Sequence, residues 1–240
     1  MRKTIITHFF NEEYLLPWWL NHHKQYFDQG VLINYASTDR SVEIIKEICP
    51  DWTIIDSRNS QFDAKLADEE VSDIESTVTG WKICLNTTEF LVGDYKVLDT
   101  LDTKEFIIPC CVMVDTDTAN LPSLDRPLVS QKTFGIHYNE GGTNIRRPRM
   151  IHNKNYFMYP LGRHFDREHT TEALTVLWYG WSPFNFDVIK RKLQIQTRIP
   201  ATDIARGFGR EHIVNEGNLI ETHQKLATLS RDLSKVLLLN

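Results

Sequence analysis

The polar and ionisable residues of this chain gather where short apolar runs stop. His8 and Asn11-Glu12-Glu13 follow the first run, and Asn34 and Ser37-Thr38-Asp39-Arg40-Ser41 follow the second. Asp56-Ser57-Arg58-Asn59 follows the third, and Asn86-Thr87-Thr88-Glu89 the fourth. Amides, hydroxyls and carboxylates so placed can hydrogen-bond a polar ligand. Arg58 could meet a phosphate, although a lone arginine is more often a surface residue. Asp39 can cap a helix or help cradle a ligand. Asp115-Thr116-Asp117 could hold a divalent cation or could be loop chemistry. Arg146, Arg147 and Arg149 could face an anionic partner or form a solvated basic turn.

These residues need elements to hold them. The pattern predicts strands over residues 3–8, 31–35 and 52–56, a further strand ending in a polar turn within 81–91, and strands at 106–114 and from 175. It predicts helices from Pro17, confined to a first turn or a kink, to about residue 26, over 41–48, 63–77 and 186–195, and from 216 to 238. The first three strands and their helices read as βαβ units of a mostly parallel sheet, which binds ligands beyond its strand C-termini. Trp18, Trp19, His22 and His23 read as packing residues, the two histidines pointing to different faces. Asp68, Glu69, Glu70, Asp73 and Glu75 read as the solvated face of their helix, with Asp63 and Asp68 weak candidates for sugar contacts. In the last helix Leu219, Leu226, Leu229, Leu233, Val236 and Leu237 share a face, which closes the base of the domain or makes a dimer or membrane-surface contact.

Asn11-Glu12-Glu13, the Trp18-Trp19-Leu20-x-His22-His23 helix and Ser37-Thr38-Asp39-Arg40-Ser41 together resemble the small family 2 nucleotide-sugar glycosyltransferases of the GT-A fold. The resemblance covers most of the chain and weakens between about 96 and 143. It implies an α/β, Rossmann-like mixed sheet, mostly parallel, flanked by helices and followed by a C-terminal helix. The implied organisation is one domain over 1–215, its nucleotide half about 1–95 and its acceptor half about 96–215, with the helix of 216–240 packed on it. It implies transfer of a sugar from a nucleotide-diphosphate donor to a hydroxyl of a glycan or lipid-linked acceptor, with inversion. His8, Asn11, Glu12, Ser37 and Asp39 then border the nucleotide site, and Asn34 or Tyr35 stands where the family often places an acid for the base.

One departure is informative. Where the family usually reads Asp-x-Asp-Glu-Phe and holds Mn²⁺ or Mg²⁺, this chain has Asn86-Thr87-Thr88-Glu89-Phe90. Hard divalent cations prefer carboxylates. Glu89 with His164 could hold a weakly bound metal; or cationic side chains such as Arg163 and Lys192 stabilise the diphosphate; or the domain only binds. Asn86 and Thr88 can bond phosphate oxygens directly. His164 is the leading candidate for completing the metal or diphosphate site, the alternative being a histidine packed between Arg163 and Phe165. His212 is a second, weaker candidate for the phosphates. An inverting transferase needs a base for the acceptor hydroxyl, for which Asp166 and Glu172 are candidates. Trp178, Tyr179 and Trp181 could stack on a sugar or pack.

Length and charge fit this. At 240 residues and net charge −5, the chain can bury a sizeable core and is not expected to bind nucleic acid non-specifically. It shows no signal peptide and no long apolar run, and its four cysteines have no zinc spacing, so reduced thiols and a cytoplasmic setting are expected. A nucleotidyltransferase is the remaining enzyme class, disfavoured because no triphosphate-binding glycine loop is present.

Overall fold

Apolar, β-branched runs build the centre of the protein, and β1 (Lys3–Phe9) is its axis: residues 4–7 are buried, as expected of a strand covered on both faces. The computed structural model describes residues 1–99, 103–140 and 148–237. After β1 come α1 (Leu16–His23), β2 (Gln29–Asn34), α2 (Ser41–Ile48), β3 (Thr53–Asp56), α3 (Ala64–Ser76), β4 (Trp81–Cys84) and β5 (Glu89–Gly93). The second half holds β6 (Glu105–Ile108), β7 (Cys110–Val114), α4 (Leu128–Gln131), β8 (Phe134–Ile136), β9 (Arg149–His152) and β10 (Leu174–Trp181). It ends with α5 (Phe186–Ile195), α6 (Ala201–Arg206), α7 (Glu216–Leu229), β11 (Arg231–Asp232) and α8 (Ser234–Leu237).

The main sheet has the order β3-β2-β1-β4-β9-β6. Its first four strands are parallel, and β9 runs antiparallel to both neighbours. Ile5 and Phe9 face Trp19, Leu20 and Ile45, so α1 and α2 cover one side; Ile6 faces Ala67 and Val71 of α3 on the other. This is the mixed, mostly parallel α/β architecture expected. A second sheet, β11-β8-β7-β10-β5, is antiparallel except for β7–β10.

Two predicted strands are each split between the sheets. The run 106–114 breaks at Pro109, which has no N–H for a ladder; β6 stays in the main sheet and β7 enters the second. The run 81–91 breaks at Asn86-Thr87-Thr88, so Glu89 opens β5 and is not part of the turn. The predicted final helix also ends early. Ser230 is extended, β11 pairs with β8, and Leu229 is 62% exposed whereas Leu233 is 2% exposed. The shared leucine face is therefore two separate segments.

The acids of α3 do not form one solvated face. Asp68, Glu70 and Glu75 are buried. Glu70 accepts from Ser57 Oγ (2.7 Å) and Arg58 N (2.8 Å), and Glu75 from Tyr159 Oη (2.7 Å) while meeting His152 at 3.0 Å. His22 and His23 are packing residues, yet both turn toward one strand: His22 Nε2 lies 2.7 Å from Leu91 O, and Leu91 N donates to His23 Nε2 at 3.2 Å. Asp115 is also structural. Its carboxylate holds Lys132 Nζ at 2.8 Å and accepts from Phe184 N at 2.9 Å, which leaves no open Asp-x-Asp site. Among the described residues no helix is long and apolar enough to cross a membrane.

Candidate functional site

In the main sheet the chain leaves β1 toward β2 on one side, while β4 lies on the other. The order reverses between β1 and β4, and a crevice opens at such a switch point beyond the strand C-termini. A cleft of about 630 Å³ occupies that place. His8, Phe9 and Phe10 line it from the end of β1, and Asn86, Thr87 and Thr88 from the end of β4.

Arg163 forms part of the floor. Gly162 and Arg163 both have left-handed backbone, with φ of 72° and 57°. For arginine that conformation costs about 1–2 kcal/mol, so the surroundings must impose it. Asp68 of α3 does so from one side: it accepts from Gly162 N at 2.7 Å and pairs with Arg163 Nη1. Arg149 of β9 does so from the other, donating through Nη1 to Gly162 O (2.8 Å) and Arg163 O (3.0 Å). Arg149 in turn pairs with Glu89. The guanidinium of Arg163 is thereby aimed along the switch point, with Nη2 at 3.3 Å from Asn86 Oδ1 and 3.4 Å from His8 Nε2. Arginine only donates, so His8 accepts at Nε2 and carries its proton on Nδ1. Burial holds the His8 pKa well below the usual imidazole value, and Arg163 and Arg149 push the same way.

Helix α5 forms the roof. Arg191 pairs with Glu12, whose carboxyl burial raises against the pull of Arg191. Gln194 donates to Phe10 O and Asn11 O, both at 3.1 Å. Beyond the helix, Arg198 donates to Tyr35 O (3.0 Å) and Ser60 O (3.1 Å). Lys192 lies 3.9 Å from the ring centre of Trp181 and 5.5 Å from that of Trp178, a cation held against an aromatic wall. Asp203, Phe208 and His212 close the far side.

The structure brings together His8, Glu12, Asn86, Thr88, Arg163, His164 and Lys192 of the predicted site residues, and His212 with them. Trp178 and Trp181 also line the cleft, whereas Tyr179 is buried elsewhere. Asn11, Asn34, Ser37 and Asp39 stand beside the cleft in a lattice of loop bonds. Thr38 N donates to Asn11 Oδ1 (2.8 Å), Ser37 N to Asn34 Oδ1 (2.9 Å), Asn11 N to Ser37 Oγ (3.1 Å) and Glu13 N to Asp39 Oδ2 (3.0 Å). Arg58 is exposed and pairs with Asp73 at 2.7 Å. Asp166 and Glu172 are exposed and do not line the cleft; Glu172 faces His169 at 3.7 Å. Of the three clustered arginines, Arg149 is buried at 1% exposure and Arg146 and Arg147 lie outside the described residues.

The donor set does not fit a hard divalent cation. Asn86 and Thr88 offer neutral oxygens. The Glu89 carboxylate is fully buried, bound by Arg149 at 2.7 and 3.0 Å and by Asn86 N at 2.8 Å. No group of three His, Cys, Asp or Glu side chains suited to a metal occurs among the described residues.

Arg191, Gln194 and Arg198 were not named as site residues in the sequence, and Arg149 stood there only as one of a basic cluster. Arg149 carries no local signal, since its partners are far along the chain. The roof contacts carry a partial one: Arg191 and Gln194 stand at i and i+3 on one face of α5, whereas Arg198 lies past its end.

No family model matches the chain, and no curated protein matches it in sequence. Solved structures match in part. A crystal structure of S. aureus TarS 1–349 is 12% identical over 64% of this chain and 47% of that one, with a TM-score of 0.38. Glucosyl-3-phosphoglycerate synthase from Mycobacterium tuberculosis, in complex with Mn²⁺, UDP and glucosyl-3-phosphoglycerate, is 9% identical over 46% and 44%, with a TM-score of 0.33. HddC from Yersinia pseudotuberculosis is 14% identical over 48% and 60%, with a TM-score of 0.32. The chain thus spans less than two thirds of each.

Proposed function

We propose that the cleft binds a nucleotide-diphosphate sugar and that the protein is a glycosyltransferase, moving the sugar with inversion to a hydroxyl of a glycan or lipid-linked acceptor. The carrying observation is the position of the cleft: it lies at the switch point between β1 and β4, floored by Arg163 and Asn86. A parallel α/β sheet offers its ligand site there. The loops of Asn11-Glu12 and Ser37-Thr38-Asp39, which resemble those bordering a nucleotide in family 2 transferases, are tied to each other beside it. Lys192 and the faces of Trp178 and Trp181 suit a sugar diphosphate, a cation for the phosphates and an aromatic surface for the ring.

A second reading, binding without turnover, is favoured by one observation. The carboxylates lining the cleft are engaged: Glu12 with Arg191, Asp68 with Arg163, Asp63 with Leu66 N and Asp203 with Ala64 N. Glu12 and Asp68, each tied to an arginine, would have to come free of it to take the proton of an acceptor hydroxyl.

Thermal unfolding with UDP-, GDP- and dTDP-sugars, followed by mass spectrometry of product with mixed glycan and lipid-linked acceptors, separates these. A ligand at a hundred times its dissociation constant adds about 2.7 kcal/mol of stability. Stabilisation with turnover supports the transferase, and stabilisation without turnover supports the binding domain. No stabilisation and no turnover with any donor, with or without Mn²⁺, overturns both.

A further inference from the structure

We propose that Arg163 is a built-in cation for the diphosphate, standing where a divalent metal would otherwise bridge it, so that the protein binds nucleoside diphosphates without metal. This rests on the nucleotide-sugar reading above. Four observations carry it. Arg163 Nη2 lies 3.3 Å from Asn86 Oδ1, at the position where the resembling family keeps its metal-binding acid. The guanidinium is fixed rather than mobile: Asp68 takes its Nη1 edge, and Arg149 grips the carbonyls of Gly162 and Arg163. The backbone at Arg163 is left-handed, at φ 57°, a cost accepted where a side chain must be aimed. Its donor capacity is also not exhausted. Nε is buried without a hydrogen-bond partner, and both Nη2 contacts, at 3.3 and 3.4 Å, are long beside the roughly 2.7–2.9 Å of a charge-assisted bond.

A simple structural arginine would make shorter bonds with both ends. Here one end is paired with a carboxylate and the other is loosely held by two neutral acceptors at the cleft. A phosphate oxygen is a stronger acceptor than either, and a planar guanidinium suits it. Arg163 is 4% exposed, so a narrow edge meets the ligand. Lys192 at the roof supplies a second cation across the cleft.

The test is calorimetric titration of UDP, GDP and inorganic pyrophosphate into the protein, in EDTA and in Mn²⁺. At least one of these probes is expected to bind, with affinities in the two conditions agreeing within about twofold. Arg163→Gln should weaken binding about 10- to 100-fold, the loss of one hydrogen bond to a charged group, and Arg163→Lys should recover part of it. Because Arg163→Gln leaves Asp68 unpaired and could unfold the protein, Asn86→Asp is the second variant. Its carboxylate would engage Nη2 and weaken binding in EDTA, with Mn²⁺ giving no rescue. Binding of wild type only in Mn²⁺, undiminished binding by folded Arg163→Gln, or Mn²⁺-dependent tightening in Asn86→Asp overturns the proposal while leaving the nucleotide reading intact. Failure of every probe in both conditions overturns both.

Discussion

Arg149 and Glu89 form an ion pair inside the protein, with Nε and Nη2 at 3.0 and 2.7 Å from the same carboxylate oxygen and neither residue more than 1% exposed. The pair joins the two sheets, since Arg149 belongs to β9 and Glu89 opens β5. It also sets the floor of the cleft, because Arg149 holds the carbonyls on either side of the left-handed turn.

Removing one partner of a buried pair strands the other charge, which typically costs about 3–5 kcal/mol. Arg149→Met should lower unfolding stability in urea by that amount. A loss under about 1 kcal/mol would show the pair to be marginal.

Stability should fall as pH drops below about 6.5. Burial holds His23 and His8 well below the ordinary imidazole value of 6.5, and lowers His22. Each stays neutral when folded and takes a proton when unfolded below 6.5. The stability this gives is complete above 6.5 and is lost as pH falls from there toward the folded value, at up to about 1.4 kcal/mol per pH unit per histidine. Burial raises the carboxyls of Glu12 and Asp68, which act with the opposite sign above their ordinary 4.5 and 3.8 and reduce the net slope. Guanidinium melts at pH 7.5, 6.5 and 5.5 measure the slope, and His23→Asn should flatten it.

All four cysteines should be inert in the native protein. They are buried, and burial pushes the Cys84 thiol up to about 12 and those of Cys49 and Cys111 up to about 11. Thiolate is the reactive form. A disulfide dye at pH 8 should titrate four thiols in denaturant and almost none before unfolding; fast native labelling would contradict this.

Asp115→Asn should act on stability and not on ligand binding. Lys132 Nζ, 8% exposed, would lose its charge partner and keep the carbonyl of Asp117 at 2.6 Å. A loss of about 2–4 kcal/mol with unchanged nucleotide affinity is expected. A change in metal dependence would reopen Asp115-Thr116-Asp117 as a site.

What was legible in the sequence was local. The β-branched run of β1, Ser41–Ile48 and Phe186–Ile195 follow their own periodicity, and polar strand ends marked the crevice. What was not legible depends on distant partners. Asp68 and Glu75 look solvated beside Glu69 because Arg163 and His152 lie 95 and 77 residues away. Arg149 looks like part of a basic turn because Glu89 is 60 residues away. Pro109 stood inside a run read as one strand and Asn86 opened a polar turn, and nothing local says that the chain resumes in another sheet.

Among the described residues strand β5 pairs with no strand but β10, Phe90 meeting Leu177 and Leu91 meeting Val176. A growing chain therefore carries an apolar strand near residue 90 that α1 can meet through His22 and His23 but that has no strand partner until residues 174–178 have been made. Until then Phe90, Leu91 and Val92, at most 2% exposed when folded, lack the part of their cover that β10 supplies. The second sheet is completed late, from its far end, and fragments stopping short of β10 would be prone to stick to one another.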